Sequence, residues 1–226
     1  MMDSNDIYGG ILEAAERSDD TVARILDTAL EVFVEHGFRR STMDDVARKA
    51  GLSRVTIYRR FQDKDALVQA VILRESRKAL KAIVKEMAKL ESTEERFVRG
   101  FVRTVSVARR HPLLARLIDG EPEIVLPKYV ALSASQAIDL GRATMAGIIE
   151  GLQKQGDFKG QDPEFIAELL IRLWHSIVIT PSSLLSADDE AKMAEFARRF
   201  LYPLLSPTQA RSAPWQNKKK RSAPTS

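Results

Sequence analysis

Residues 42–67, TMDDVARKAGLSRVTIYRRFQDKDAL, decide the fold of this chain. Thr42 can cap a helix through its hydroxyl, and Asp45 occupies the reciprocal position of a capping box. In the helix that follows from Met43, the side chains of Val46, Ala47 and Ala50 share one face and are small enough for a second helix to approach closely. Asp44, Arg48 and Lys49 are left outward. Gly51 supplies the positive φ that ends a helix, and Ser53 can cap the next after a turn of about three residues. This is the spacing of a helix-turn-helix.

In the second helix Leu52 and Ile57 point back to a core, while Arg54, Val55, Thr56, Tyr58 and Arg59 cover the remaining surface. Those side chains suit a major groove, because arginine bonds bidentately to guanine, valine and threonine methyls touch the thymine methyl, and hydroxyls donate to phosphate. Phe61 is expected to anchor the helix end. Lys64 adds a cation where a helix dipole already attracts phosphate. The candidate DNA-binding residues are therefore Thr42, Ser53, Arg54, Val55, Thr56, Tyr58, Arg59, Arg60 and Lys64. Shape alone leaves open plain helical packing with a solvated basic face.

Ala47, Gly51-Leu52-Ser53, Thr56-Ile57-Tyr58, Phe61, Lys64-Asp65 and Leu67 stand in an order that resembles the TetR/AcrR family of bacterial transcriptional regulators. The resemblance covers roughly residues 22–68; the rest of the chain fits by length and helical pattern. Arg60 stands where histidine or tyrosine is frequent in that family, so its phosphate contact is not carried over, and its charge is expected to add to nonspecific binding. The resemblance implies a homodimer on a palindromic operator, a ligand pocket in the middle helices and repression relieved by a small, largely apolar effector.

Charge supports a directed DNA face. The chain has 226 residues and a net charge of +4. Between Arg39 and Lys64, eight basic residues stand against three acidic ones, and residues 211–226 hold five basic residues and no acid. The remainder therefore carries a net −6. An acidic body with two basic regions is expected of a protein that presents one surface to a polyanion.

Helical periodicity continues along the chain, with no alternating strand pattern to compete. A flexible arm is expected over 1–20, with a short helix around Ile11–Arg17. A first helix is expected over Thr21–His36, carrying Val22, Ile25, Leu26, Ala29 and Phe33 and stopped by Gly37. A long helix should run from Asp63 toward Leu90, and another from Ser92 to His111-Pro112. A short helix over Leu113–Asp119 and a long one over Val130–Gln155 follow. Asp162-Pro163-Glu164 starts a helix to Ile179, because the acid caps and proline gives up no needed amide. Ser186 with Asp189 starts the last, over Ala187–Tyr202. The fold class is all-α with about nine helices. A three-helix DNA-binding domain spans 21–68, a larger ligand-binding and dimerisation domain 69–205, and a disordered basic tail 206–226.

Two late helices carry apolar stripes, Leu169, Leu170, Leu173 and Ile177 on one and Met193, Phe196, Phe200 and Leu204 on the other. Paired with a second copy they would form a four-helix interface; burial within one subunit is the alternative. Dimerisation would place two recognition helices about 34 Å apart, in successive major grooves. The pocket implied by the resemblance would be lined by Met87, Phe97, Phe101, Val105, Leu117, Met145, Ile149 and Trp174, with Arg142 and His175 as polar anchors.

The sequence points away from other classes. There is no cysteine, and the three histidines, His36, His111 and His175, are scattered with no metal spacing or nucleophile motif. No catalytic residue, cofactor or metal is expected. The start, MMDSNDIYGG, has no basic region followed by an apolar one, and no stretch is apolar enough to span a bilayer. A cytoplasmic location, apart from membranes, is expected. A nonspecific architectural DNA-binding protein and a helical ligand-binding or scaffold protein with a vestigial head remain the alternatives.

Overall fold

A computed structural model describes residues 20–115, 136–156, 162–180 and 185–205. Every regular element among them is helical. The arm, the helix expected around Ile11–Arg17, the basic tail and Leu117 lie outside these residues.

α1 spans Asp20–Arg40 and buries Ile25, Leu26, Ala29, Val32 and Phe33 along one stripe. Gly37 breaks it with φ 76° and ψ 166°, yet the chain resumes helical geometry for a last turn, so the element runs beyond the expected stop at His36. Side chains support the carbonyls around the break. The Ser41 hydroxyl donates to the Gly37 carbonyl at 2.5 Å, and Arg40 Nε to that of His36 at 3.2 Å. The gain is position: Phe38, after the kink, stacks on Phe33 with centroids 5.2 Å apart.

α2, Met43–Ala50, starts with the complete Thr42/Asp45 capping box. It ends in a Schellman arrangement: Leu52 N donates to Ala47 O at 3.0 Å and Gly51 N to Arg48 O at 3.2 Å, with Gly51 at φ 63°. A side chain at Gly51 would meet open space but would be strained by that φ. α3, Arg54–Arg60, is capped by Ser53, whose Oγ accepts from Thr56 N at 3.2 Å. Ile57, fully buried, is the side chain that fixes α3 to the core. α4, Lys64–Met87, is capped by Asp63 and ends in a turn just before Leu90.

α5 spans Thr93–Arg110 from its Ser92 cap, and α6 is the short helix Pro112–Ala115. α7 covers Gln136–Gln155 and closes at Gly156 with φ 91°. α8, Pro163–Ile179, has Asp162 accepting from the amides of Glu164 and Phe165. Gly141 lets α7 and α8 approach: a Cβ there would lie 2.9 Å from Ile171 Cδ1.

α9 departs from expectation at both ends. It spans Glu190–Phe196 with Asp189 as cap, accepting from Lys192 N at 3.0 Å. Ser186 is occupied by a preceding turn, its hydroxyl accepting from Asp188 N and its carbonyl from Asp189 N. The chain then passes through a π turn, Ala197–Leu201, and a 3₁₀ turn, Tyr202–Leu205.

Two apolar cores result. The first joins α1 to α3 and the start of α4. The second joins α5, α7, α8 and the α9 region. Leu113 of α6 is buried in the first core, and its neighbour Leu114 packs against both. Among the described residues, no helix is long and apolar enough to cross a membrane.

Candidate nucleic-acid interface and effector cavity

The α2–α3 turn presents α3 with one face buried and the other open. Ile57 is buried, whereas Val55 is 75% and Tyr58 51% exposed. Large apolar side chains left this open on a helix that has a core to use mark a contact surface. Arg54, Arg59 and Arg60 are exposed beside them. Thr56 is half-buried, and its hydroxyl lies 2.8 Å from that of Ser53.

The charges here are far from equivalent. Arg54 is ion-paired with Asp44 of α2. Arg48 pairs with Asp45 at 2.5 Å, and Lys49 with Glu35 at 2.9 Å and Glu31 at 3.2 Å. The hydrogen bond and charge of Lys49 hold the Glu35 carboxyl below its usual range, and Glu35 raises Lys49 in turn. Hydrogen bonds from Thr42 lower Asp45 in the same way. Thr42, offered above as a DNA contact, thus spends its hydroxyl and amide on Asp45. Among the described residues Arg59 has no such partner, so its guanidinium is available to an incoming phosphate.

Lys64 is placed differently from the expected free cation. Its Nζ donates to Phe38 O at 2.8 Å and Ser41 O at 3.1 Å, bridging the broken end of α1 to the start of α4. Two of its three donors are occupied. Asp44 is the residue that sequence reasoning passed over: it was placed outward, but its partner lies ten positions on, across the turn.

Between α4, α5, α6, α7 and α8 lies a cavity of about 440 Å³ with mostly apolar walls. Met87, Phe97, Phe101, Met145, Ile149 and Trp174 line it as expected. Val105 does not; it is fully buried in the second core, one turn beyond Phe101. Arg142 and His175 are also absent from the wall. Arg142 faces outward to Glu164, with Asp139 and Glu168 within 3.9 Å. His175 is half-buried outside the cavity, and burial followed by the nearby Arg172 charge pulls its imidazole below the ordinary value. The wall also includes His111, Leu113 and Leu114, together with Ala66 and Gln69 at the head end of α4. Trp174 Nε1 is buried with no hydrogen-bond partner among the described residues.

The apolar stripes divide. Leu170 and Met193, 2% and 1% exposed, are buried in the chain's own core and are not open to a second copy. Leu173, Ile177, Phe196 and Leu204 are partly buried against that core. Leu169 and Phe200 are open, at 37% and 57%, as is Phe165 at 54%, one turn before Leu169 and outside the stripe read from the sequence.

Residues 25–71 match the model of the tetR family of bacterial regulatory proteins. The chain carries, over these residues, the DNA-binding head of the tetR family. It is 27% identical over 207 residues to an uncharacterized HTH-type transcriptional regulator of Mycobacterium tuberculosis, covering 87% of this chain and 91% of that one. It is 43% identical to the HTH-type transcriptional regulator SrpR of Pseudomonas putida over 60 residues, 26% of this chain and 28% of SrpR. The crystal structure of a TetR-family regulator from Pectobacterium atrosepticum superposes with a TM-score of 0.65 at 22% identity, covering 84% of this chain and 95% of that one, which speaks to the fold. With this head the chain is a DNA-binding transcriptional regulator.

Proposed function

We propose that the chain acts in the cytoplasm as a homodimeric repressor, with residues 21–68 of each subunit on one half of a palindromic operator and residues 69–205 holding the effector and the dimer contact. The observation that carries this reading is that one short helix, α6, serves both regions. Leu113 is buried in the head's core and also lines the cavity, so a molecule in the cavity touches a side chain on which the head is built. An effector that prefers one seating of α6 shifts the spacing of the two heads. A coupling of about 1–3 kcal/mol changes operator affinity roughly 5–150-fold.

On α3, Arg54, Val55, Thr56 and Tyr58 are the proposed base-contacting set, with Ser53, Arg59 and the remaining donor of Lys64 on phosphates and the charge of Arg60 adding to nonspecific attraction. Exposed Phe165, Leu169 and Phe200 supply the second copy's contact, with Leu173, Ile177, Phe196 and Leu204 behind them. Binding-site selection on the purified full chain tests the reading. The expected outcome is a palindromic site preferred over random duplex by about 10³-fold or more, bound by a dimer in sedimentation. Near-equal binding of all duplexes would make the chain an architectural protein, and no salt-dependent binding would leave the head vestigial.

A further inference from the structure

The cavity's polar fittings say what its occupant offers. Arg96 of α5 lines the cavity wall. Its Nε donates to Leu90 O in the α4–α5 turn, which holds the side chain in place and leaves the two Nη groups to another acceptor. On the same helix Arg99, Arg103 and Arg110 each have a carboxylate, from Glu95, Glu86 and Glu190. Arg96 has none among the described residues. The acids nearest in sequence are engaged elsewhere, Glu94 and Glu95 both by Arg198.

Trp174 adds a second donor, its indole N–H, buried in the wall and lacking an acceptor among the described residues. The acid in the wall, Glu75, is already balanced, with Arg74 and Lys78 within 3.1 Å and His111 Nε2 at 3.7 Å. The site therefore has donors to spare and, among the described residues, no unpaired carboxylate. A cation would find no free carboxylate, whereas a carboxylate would find a guanidinium held at the edge of an apolar chamber, where charge-assisted bonds are strongest.

We infer that the effector is an amphipathic anion, an apolar body filling the cavity and a carboxylate on Arg96. This deepens the proposed effector site and rests on it. The full-length protein is titrated with decanoate and with neutral decanol, each below its aggregation limit, following tryptophan emission, to which Trp174 in the wall responds. Decanoate is expected to bind about tenfold or more tightly than decanol. Arg96→Gln should remove that preference while still taking up decanol, and Arg96→Lys should keep part of it. Equal affinities in the unaltered protein, or a preference that survives in Arg96→Gln, overturn the anion and leave the effector cavity standing. Binding of neither molecule, with DNA affinity unmoved, overturns the effector reading along with it.

Discussion

The Lys64 ammonium holds the Phe38 carbonyl at 2.8 Å across twenty-six residues of sequence. The contact closes the kink that Gly37 opens in α1 and ties α1 to the first residue of α4. A cation next to the recognition helix is therefore a structural clamp as well as a charge near DNA.

Lys64→Ala is accordingly expected to act twice. Two carbonyls lose a charged donor, which costs about 1.5–3 kcal/mol of stability. DNA affinity falls for all sequences alike. Urea unfolding beside DNA titration checks both; unchanged stability would return Lys64 to a purely electrostatic role.

Arg54 and Asp44 call for a paired experiment. Arg54→Ala should relax discrimination at one base position by about 1–3 kcal/mol. Asp44→Ala frees the guanidinium from its partner on α2, so affinity should rise for all duplexes while the preferred base stays but is less sharply preferred. Binding-site selection on both variants decides. An unchanged preferred sequence in Arg54→Ala would remove Arg54 from base reading.

Arg59 and Lys49 carry the same formal charge and should behave oppositely. Arg59 is exposed and unpaired among the described residues, so Arg59→Ala should reduce the slope of log affinity against log salt by about one. Lys49 sits between Glu31 and Glu35. Its removal should leave that slope nearly unchanged, since two acids already offset it.

The contrast marks where the sequence could be read and where it could not. Thr42, Gly51, Ser53, Asp63 and Asp162 announced their helix ends because caps act over two or three residues, and the local chain suffices to form them. Pairing of Arg54 with Asp44, or of Lys49 with Glu31, depends on where α1, α2 and α3 come to rest. Stripes have the same defect: Leu169 and Leu170 are adjacent, yet one is open and the other buried in the second core, and a spacing of three and four cannot say which neighbour covers it. Val105, one turn from Phe101, reads as cavity wall for the same reason and is instead core. Arg96 was passed over because an arginine on a charged helix looks solvated until its neighbours' partners are known.

Acid should act on this fold in two steps. His175 is held below its ordinary value of 6.5 by burial, so the fold favours the neutral ring. Its contribution is fully present above that value and is lost as pH falls through it toward the lower folded value. Glu35 and Asp45 are held below 4.5 and 3.8, so their contributions fail only in stronger acid. Urea midpoints on either side of 6.5 should fall with pH, and His175→Gln should flatten that first step alone. A first step that persists in His175→Gln would belong to another group.

Leu113 tests the link between cavity and head. It is 2% exposed, sits among α1 side chains in the first core and forms part of the cavity wall. Leu113→Ala should cost about 2–5 kcal/mol through the space left behind. If α6 transmits occupancy, the variant should still bind DNA at temperatures where it is folded, but the effector should release that DNA less completely, because the contact it biases has been removed. Leu152, buried in the second core but also on the cavity wall, serves as the comparison. Leu152→Ala should weaken effector binding without lowering the fraction of DNA released at saturation. Equal loss of release in both variants would mean that the signal leaves the cavity by another route, such as α4, which starts in the head and lines the cavity.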